Sequence, residues 1–448
     1  MYLLLWINSQ FRLAAQRLLR LDQPMPVLSD DEIESEVERN YGWNFAVNLA
    51  DGACFFFGLS FISSSTIVPL FISKLTSSPL PIGLASVIAQ GGWYLPQLFT
   101  ANVVERLPRR KPIVVHIGFF SERVPVWLFV PIALLIPRSA PLALALFLAC
   151  YAWLQLGGGL IATAWQDMIA RCFPVDRRGR FWGITTFAGT ATGIFGAALS
   201  TRILGTFPFP VNFAYVFAAA SVSITISWFF ISLTREPVLP ITAPRRSNRQ
   251  FWVGVSDILR HDHNFRRFLV ARLTLAMGNM GWGFVTVAAV QRWQVADGTV
   301  GVYTAALLLG QTLGNVAFGL LADRLGHKLS LEMSGLAACL AFAMAWLAPS
   351  PEWYYAVFVL LGVTLGAVIV SGILVSMEFC ESQRRPTYVG ITNTGVGLIS
   401  VVAPLLGAWL VTISYGWLFA LSAGVNLVAL VLMRWWVQEP RWARTAAI

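Results

Sequence analysis

Residues 353–377 read WYYAVFVLLGVTLGAVIVSGILVSM, a run of 25 residues without a charged side chain. A helix of about 20 apolar residues spans the hydrocarbon core of a bilayer, so this run predicts a transmembrane helix. Similar runs fill the chain: 56% of its 448 residues are hydrophobic and only 12% are charged, whereas a soluble domain carries about 25% charged residues. The composition excludes a soluble enzyme, a disordered protein and a disulfide scaffold. It also excludes a transmembrane β-barrel, whose strands are short alternating segments.

Twelve apolar runs predict an all-α membrane protein with twelve transmembrane helices, here called spans 1 to 12. They cover residues 44–73, 80–104, 113–137, 141–170, 181–204, 210–234, 267–291, 299–322, 330–349, 352–377, 388–413 and 416–436. The longest hydrophilic interruption after span 1 divides the spans six and six. We therefore expect a cytoplasmic N-terminal segment (1–42), a six-helix half (43–234), a cytoplasmic linker (235–266), a second six-helix half (267–436) and a cytoplasmic tail (437–448).

The basic residues predict the orientation of the chain in the membrane. When residues at the ends of spans are counted with the adjoining loop, 26 of the 32 Lys and Arg residues fall on the side of the N-terminus and two, Arg123 and Arg272, fall inside spans. The other four fall on the opposite side, namely Lys74, Arg138, Arg202 and Arg292. Loops rich in Lys and Arg stay cytoplasmic, so both termini are expected in the cytoplasm, in a multi-pass protein of the plasma or inner membrane. Because these charges lie in short loops between spans, the net charge of +10 does not indicate a nucleic-acid partner.

The segment before span 1 has two parts. Residues 1–21 interleave Arg12, Arg17 and Arg20 with apolar residues, a pattern typical of an amphipathic helix that lies on a membrane surface. The acidic stretch that follows, between residues 30 and 38, is interpreted as a solvated cytoplasmic segment.

Three short motifs recur at the same place in each half, which predicts an internal repeat. The pairs are Asn44-Phe45 with Asn264-Phe265, Glu105-Arg106-Leu107 with Asp323-Arg324-Leu325, and the Arg177-Arg178…Gly183-Ile184-Thr185 pattern with Arg384-Arg385…Gly390-Ile391-Thr392. The offsets are 220, 218 and 207 residues. Two parallel six-helix halves indicate a transporter whose binding site lies at the midplane between them.

The second of these motifs carries a family resemblance. Residues 319–328, GLLADRLGHK, resemble the cytoplasmic signature loop of the major facilitator superfamily, and residues 102–111, NVVERLPRRK, are a copy that has lost its glycines. Gly326 suits the tight turn that joins two helices through so few residues. The resemblance covers the whole chain through its topology. It implies a secondary transporter with a central cavity and alternating access.

The same resemblance implies a charge latch at the cytoplasmic ends of the helices. A carboxylate there can bind the first amides of a neighbouring helix or pair with an arginine. The residues placed in this role are Glu105, Arg106, Asp167 and Arg178 in the first half, and Asp323, Arg324, Glu378 and Arg385 in the second. The alternative is that these charges only anchor loops at the membrane interface.

Charged side chains inside the spans are candidates for function because each is costly in lipid. The resemblance favours the cavity for Asp51 in span 1 and Arg272 in span 7, and a structural role for Glu122 and Arg123 in span 3. Gln155 in span 4 and Asn279 in span 7 are further polar candidates for binding a substrate or a proton.

Asp51 and Arg272 occupy nearly the same depth in matching helices. One hypothesis is therefore that they pair when the cytoplasmic side is closed and separate when it opens. The alternative is that each has a partner within its own half, for example Arg123 for Asp51.

No motif indicates an enzyme, a metal or a cofactor. His261-Asp262-His263 is interpreted as a solvated loop, no phosphate-binding loop or catalytic constellation occurs, and the five cysteines are scattered. We expect a monomer in the lipid bilayer that transports a small molecule, with a proton or another ion as the second partner. The two alternatives are an intramembrane enzyme that modifies lipids and a non-transporting sensor on a transporter fold.

Overall fold

The structure is a computed structural model that describes residues 29–104, 107–174, 177–238, 256–372, 374–380 and 385–440. Outside the described residues lie the amphipathic helix expected within 1–21, most of the linker (239–255), Glu105 with Arg106, and residues 441–448. In the described part of the chain every regular element is a helix, which confirms the all-α prediction.

The first helix begins at Asp30, well before residue 44, where span 1 was predicted to begin. Span 1 consists of α1 (Asp30–Ser60) and α2 (Ile67–Leu75), and the acidic stretch forms the exposed first turns of α1. Ser29 caps α1 by accepting a bond from the Glu32 amide, and the Glu32 carboxylate accepts one from the Ser29 amide. Spans 2 to 6 are α3 (Leu80–Val104), two π-helical turns (Ile113–Ile117 and Phe119–Arg123) that continue into α4 (Val124–Leu135), α5 (Ala140–Cys172), α6 (Arg178–Thr206) and α7 (Val211–Ser232).

The second half is also built of helices, with breaks at partly different places. Span 7 is α8 (His263–Gly278), a 3₁₀ segment (Asn279–Phe284) and α9 (Val285–Trp293). Spans 8 to 12 are α10 (Asp297–Leu325), α11 (His327–Leu347), α12 (Trp353–Ser371) with α13 (Leu374–Glu378), α14 (Arg385–Ile413), and α15 (Tyr415–Val431) with a π-helical end (Leu432–Trp436).

The outer surface of the bundle is apolar. Nine of the helices in the described residues are long and apolar enough to cross a membrane. Phe195, Leu320 and Trp417 are each exposed over about two thirds of their surface, at 71%, 67% and 66%. Side chains of this kind on every face require an apolar solvent, which the bilayer supplies.

Glycine lets neighbouring helices approach closely where lipid gives no hydrophobic drive for association. Gly310 on span 8 packs against Val359 of span 10, and Gly362 on span 10 packs against Leu307 of span 8. A Cβ at either glycine would overlap the facing carbonyl oxygen. Gly310 with Gly314, and Gly362 with Gly366, form two G-x-x-x-G pairs, and these pairs make one shared seam between the two spans.

The repeated Asn-Phe motif makes the same contact in both halves. The Asn44 amide donates to the Arg235 carbonyl and accepts from the Arg235 amide, both at 2.9 Å. Asn264 bonds the carbonyl and amide of Gln438 in the same way, at 3.0 and 2.9 Å. In each half this joins the start of the first helix to the chain that leaves the last, which accounts for the repeat.

Polar contacts join the two halves at one end of the bundle. We call the end where α1 begins the linker side, and the opposite end the far side. Four polar contacts between described residues of different halves lie at the far side: Lys74–Asp297 at 2.7 Å, Thr66–Thr304 at 2.6 Å, and Ser65 with Trp282 and with Thr286 at 2.5 and 2.7 Å. The structure is therefore closed at the far side.

Candidate functional site

A cavity of about 130 Å³ lies between the two halves, bounded by spans 1, 2, 7, 10 and 11. One water molecule needs about 10–15 Å³ on such a measure, so the cavity has room for a small solute. Its polar lining consists of Ser64, Ser86, Gln90, Tyr94, Arg272, Asn279, Trp282, Thr364 and Ser400. The remaining wall is aliphatic apart from Met280, so the cavity offers a ligand both polar and apolar contacts.

Arg272 and Asn279 are two predicted candidates that the structure places on the cavity wall. Arg272 is only 6% exposed, forms no ion pair with any described residue, and its Nε has no hydrogen-bond partner there. The Oδ1 atom of Asn279 is also buried without a partner in the described residues. A buried guanidinium without a counter-ion is costly, so this arrangement favours a ligand that brings a negative charge.

Asp51 does not line the cavity. It is 7% exposed and accepts a 2.6 Å hydrogen bond from the Ser227 hydroxyl of span 6. Asp51 lies seven residues after Asn44, which faces the end of span 6, whereas Arg272 lies eight residues after Asn264. At about 100° per residue, Asp51 returns to the face of Asn44, while Arg272 is turned by about 80° from the face of Asn264. This rotation explains why the two matching positions point to different places.

In this far-side-closed conformation no ion pair joins Asp51 to Arg272. Their pairing in a conformation closed at the linker side stays a prediction.

Asp51 ends a polar stripe along one face of α1. Asn40, Asn44 and Asn48 precede it at helical spacing, and each bonds to the chain at the end of span 6. The contacts are Arg235 Nη1 to Asn40 Oδ1 at 3.2 Å, the two Asn44 bonds to Arg235, and Thr234 Oγ1 to Asn48 Oδ1 at 3.3 Å. The stripe holds spans 1 and 6 together and leads from the linker side to Asp51.

Glu122 and Arg123 form a buried ion pair with each other in the π-helical part of span 3. Arg123 also donates to the Gly118 carbonyl at 3.1 Å. No ion pair joins Arg123 to Asp51 in this conformation, where Asp51 accepts its hydrogen bond from Ser227 instead. Gln155 donates to the Tyr151 hydroxyl at 3.2 Å and lies outside the cavity lining.

The latch residues of the first half form a network that the motif only partly indicated. Asp167 pairs with Arg110 at 2.7 Å and with Arg171 at 2.9 Å, while Arg178 donates to the nearby Phe173 carbonyl at 3.0 Å. Arg110 and Arg171 were not among the predicted residues. The predicted Glu105 and Arg106 lie outside the described part of the chain.

Glu236 is a second acid in this network that sequence reasoning missed. Its carboxylate accepts bonds from the amides of Arg110 and Lys111 at 2.8–2.9 Å, at the start of span 3. Burial raises the pKa of Glu236, and those two amides oppose the rise. Burial also lowers the pKa of Arg110, and Asp167 opposes that shift. The repeated Glu-Pro pairs at 236–237 and 439–440 were the available signal.

The second half has a matching acid. Gly326, at φ 96°, lies against Glu439, so that a Cβ there would be 2.7 Å from Glu439 Oε1. Arg324 is exposed, and Glu378 ends α13. The side chains of Asp323 and Arg385 lie outside what the structure describes. The latch expected there stays a prediction.

The chain resembles known membrane transporters. Residues 273–446 match the family model for the Major Facilitator Superfamily. The gallate transporter of Pseudomonas putida is 30% identical over 158 residues (35% of this chain, 34% of the relative). The 4-hydroxybenzoate transporter PcaK of Acinetobacter baylyi is 28% identical over 160 residues (35% of each) and the niacin transporter NiaP of that organism 27% over 141 residues (32% of each). The chain thus spans about a third of the length of these relatives.

Solved structures share the whole fold at low identity. A POT family transporter has a TM-score of 0.66 at 11% identity, covering 87% of this chain and 94% of that one. The nucleoside transporter NupG has a TM-score of 0.63 at 13% identity, and a D-xylose-proton symporter 0.61 at 15%. They cover 87% and 89% of this chain, and 98% of each of those chains. These similarities show that the chain shares its overall fold with these transporters, and the predicted twelve helices are consistent with that fold.

Proposed function

We propose that the chain is a member of the Major Facilitator Superfamily, as the match of residues 273–446 supports, and that it carries a small organic solute across a membrane by alternating access. The cavity between the halves and the contacts that close it at the far side support this mechanism. The conformation of this structure, which is closed at the far side, would then accept or release solute at the linker side. The protein acts as a transporter and not as an enzyme.

The substrate class we propose is a small aromatic carboxylate. The observation that carries this is Arg272, a buried cation on the cavity wall without an ion-pair partner among described residues. Tyr94 and Trp282 supply aromatic faces in the same cavity. The relatives named for gallate, 4-hydroxybenzoate and niacin act on molecules with one planar ring and one carboxylate, which this combination of groups suits.

Competition in proteoliposomes tests the substrate class. We expect benzoate and 4-hydroxybenzoate to compete for uptake, and we expect benzamide, which has the ring without the charge, to fail. If benzamide competed as well as benzoate, this would contradict the proposal that Arg272 recognises the carboxylate of the substrate.

Proton coupling is the second part of the proposal, with Asp51 as the proton acceptor. The groups near Asp51 are Ser227 of span 6, Glu122 and Arg123 of span 3, and Cys54 of its own helix. Two carboxylates and one guanidinium in this buried cluster carry a net charge of −1 unless one proton is bound. A net charge at membrane depth is costly, which favours a site that takes up a proton.

The positive-inside rule indicates the orientation of the chain in the membrane. We propose that the linker side faces the cytoplasm, that the protein resides in the cytoplasmic membrane, and that it works as a monomer. The Asp167–Arg110 and Glu236 contacts would then stabilise the linker-side ends of the first half while the halves separate there. This is the latch role, assigned to a partly different set of residues.

A further inference from the structure

Two helix breaks meet at the far end of the cavity. Span 1 is interrupted between Ser60 and Ile67, and span 7 changes to a 3₁₀ segment over Asn279–Phe284. The breaks begin 17 and 15 residues after the Asn-Phe motifs, so they correspond in the two halves. A broken helix exposes backbone and side-chain polar groups, which is tolerated at membrane depth only where protein or a cavity covers them.

Trp282 lies in the middle of the span 7 break, between two glycines that pack in opposite directions. A Cβ at Gly281 would lie 2.9 Å from Phe342 and 3.0 Å from Ser422, both in the second half. A Cβ at Gly283 would overlap the Ser86 hydroxyl of the first half. The glycines therefore allow this segment to contact both halves, with Trp282 directed between them.

Trp282 belongs both to the cavity wall and to the far-side closure. Its side chain is one of those that line the cavity, and its indole N–H donates to the Ser65 hydroxyl of the other half at 2.5 Å. Thr286 supports the same contact by donating to the Ser65 carbonyl at 2.7 Å, and Thr66 bonds Thr304 at 2.6 Å. Of the residues in these closing bonds, Trp282 is the one that also lines the cavity.

We propose that Trp282 couples occupation of the cavity to closure of the far side. A planar solute held by Arg272 would rest against the indole and keep its N–H directed at Ser65, so that the occupied cavity favours the closed far side. This rests on the proposed function, because it takes the cavity to be the solute site. A ligand shifts a conformational equilibrium only through different contacts in the two states, and the Trp282–Ser65 bond supplies such a difference.

The test measures access to the cavity from the far side. Ala276 lines the cavity, so the substitution Ala276→Cys places a thiol there. It is made in a chain whose five native cysteines have been replaced. In intact cells a membrane-impermeant thiol reagent then reports how often the far side opens. Trp282→Phe keeps one aromatic ring but removes the N–H donor together with the smaller ring of the indole, and we expect labelling to speed up about 2- to 10-fold, as the loss of one hydrogen bond implies.

Trp293→Phe is the matched control. It removes the same N–H from the same span, at a position where that atom has no partner among the described residues, and it should label at the parent rate. Ser65→Ala should reproduce the Trp282→Phe effect, and the two together should add little, because they break one bond. Parent-rate labelling in both Trp282→Phe and Ser65→Ala would overturn the proposal, as would equal acceleration by Trp293→Phe.

Added 4-hydroxybenzoate separates coupling from closure. It should slow labelling in the parent and lose most of this effect in Trp282→Phe. An equal slowing in both would show that occupancy acts through other contacts and would overturn the coupling. Trp282→Phe could also accelerate labelling while 4-hydroxybenzoate changes the rate in neither chain. That result would support a role of the Trp282–Ser65 bond in closure, but it would contradict both the coupling to occupation and the proposed substrate class.

Discussion

The Lys74 ammonium lies 2.7 Å from the Asp297 carboxylate and joins the two halves at the far side. Their side chains are 33% and 16% exposed, so water screens the pair only in part. Exposed pairs contribute about 0.2–1 kcal/mol, so a modest share of the far-side closure is expected from this one.

Breaking this pair should open the far side more often. We expect Lys74→Ala and Asp297→Ala each to speed far-side labelling of Ala276→Cys by up to about fivefold, which corresponds to loss of about 1 kcal/mol. The charge-swapped chain Lys74→Asp/Asp297→Lys should return toward the parent rate. A swap that labels as fast as the single variants would mean that the pair does not contribute to closure.

Membrane orientation is tested by single cysteines on opposite sides. Ser247→Cys, in the linker, should react with an impermeant reagent only after the cells are permeabilised. Ser77→Cys, in the exposed loop after span 1, should react in intact cells. The reverse pattern would place the linker outside the cell and contradict the orientation drawn from the Lys and Arg residues.

The seam between spans 8 and 10 should not tolerate a larger residue. Gly362→Leu would overlap the Leu307 carbonyl oxygen, and we expect a loss of at least about 1–3 kcal/mol, seen as a lower melting temperature in detergent. Gly319→Ala is the control, since nothing lies within 4 Å of a Cβ there, and it should melt with the parent. Equal melting of all three chains would mean that this seam is not tightly packed.

Proton coupling is tested by separating net uptake from exchange. Asp51→Asn keeps the shape and removes the charge, so we expect loss of pH-driven accumulation while exchange of labelled for unlabelled solute continues. Gln155→Ala, which lies outside both the cavity and the Asp51 cluster, should retain both activities. Accumulation by Asp51→Asn at the parent level would exclude Asp51 as the coupling site.

Much of the fold could be predicted from the sequence because lipid imposes a simple rule on long helices. Apolar length located the spans, and the charge asymmetry indicated an orientation that still awaits its test. The breaks in spans 1 and 7 were not predictable, because Ser65 and Thr66 bond to the other half only once both halves are assembled.

The site was predicted in part. Arg272 and Asn279 were identified because polar groups at membrane depth are rare. The direction of the Asp51 side chain was not predicted. It depends on a difference of one residue, because Asp51 lies seven residues after Asn44 whereas Arg272 lies eight residues after Asn264. Gln90, Tyr94 and Trp282 were missed because a cavity-facing polar or aromatic side chain has the same sequence signature as one that packs against a neighbouring helix.

Recognition of an aromatic carboxylate by Arg272 is tested by uptake of radiolabelled 4-hydroxybenzoate into proteoliposomes that contain the parent chain, Arg272→Gln or Arg138→Gln. We expect saturable uptake by the parent and by Arg138→Gln, whose arginine lies in a far-side loop away from the cavity. We expect at least about a tenfold loss for Arg272→Gln, because a charge-assisted hydrogen bond of about 1.5–3 kcal/mol is lost. Parent-level uptake by correctly inserted Arg272→Gln would contradict the claim that this cavity binds an aromatic carboxylate through Arg272.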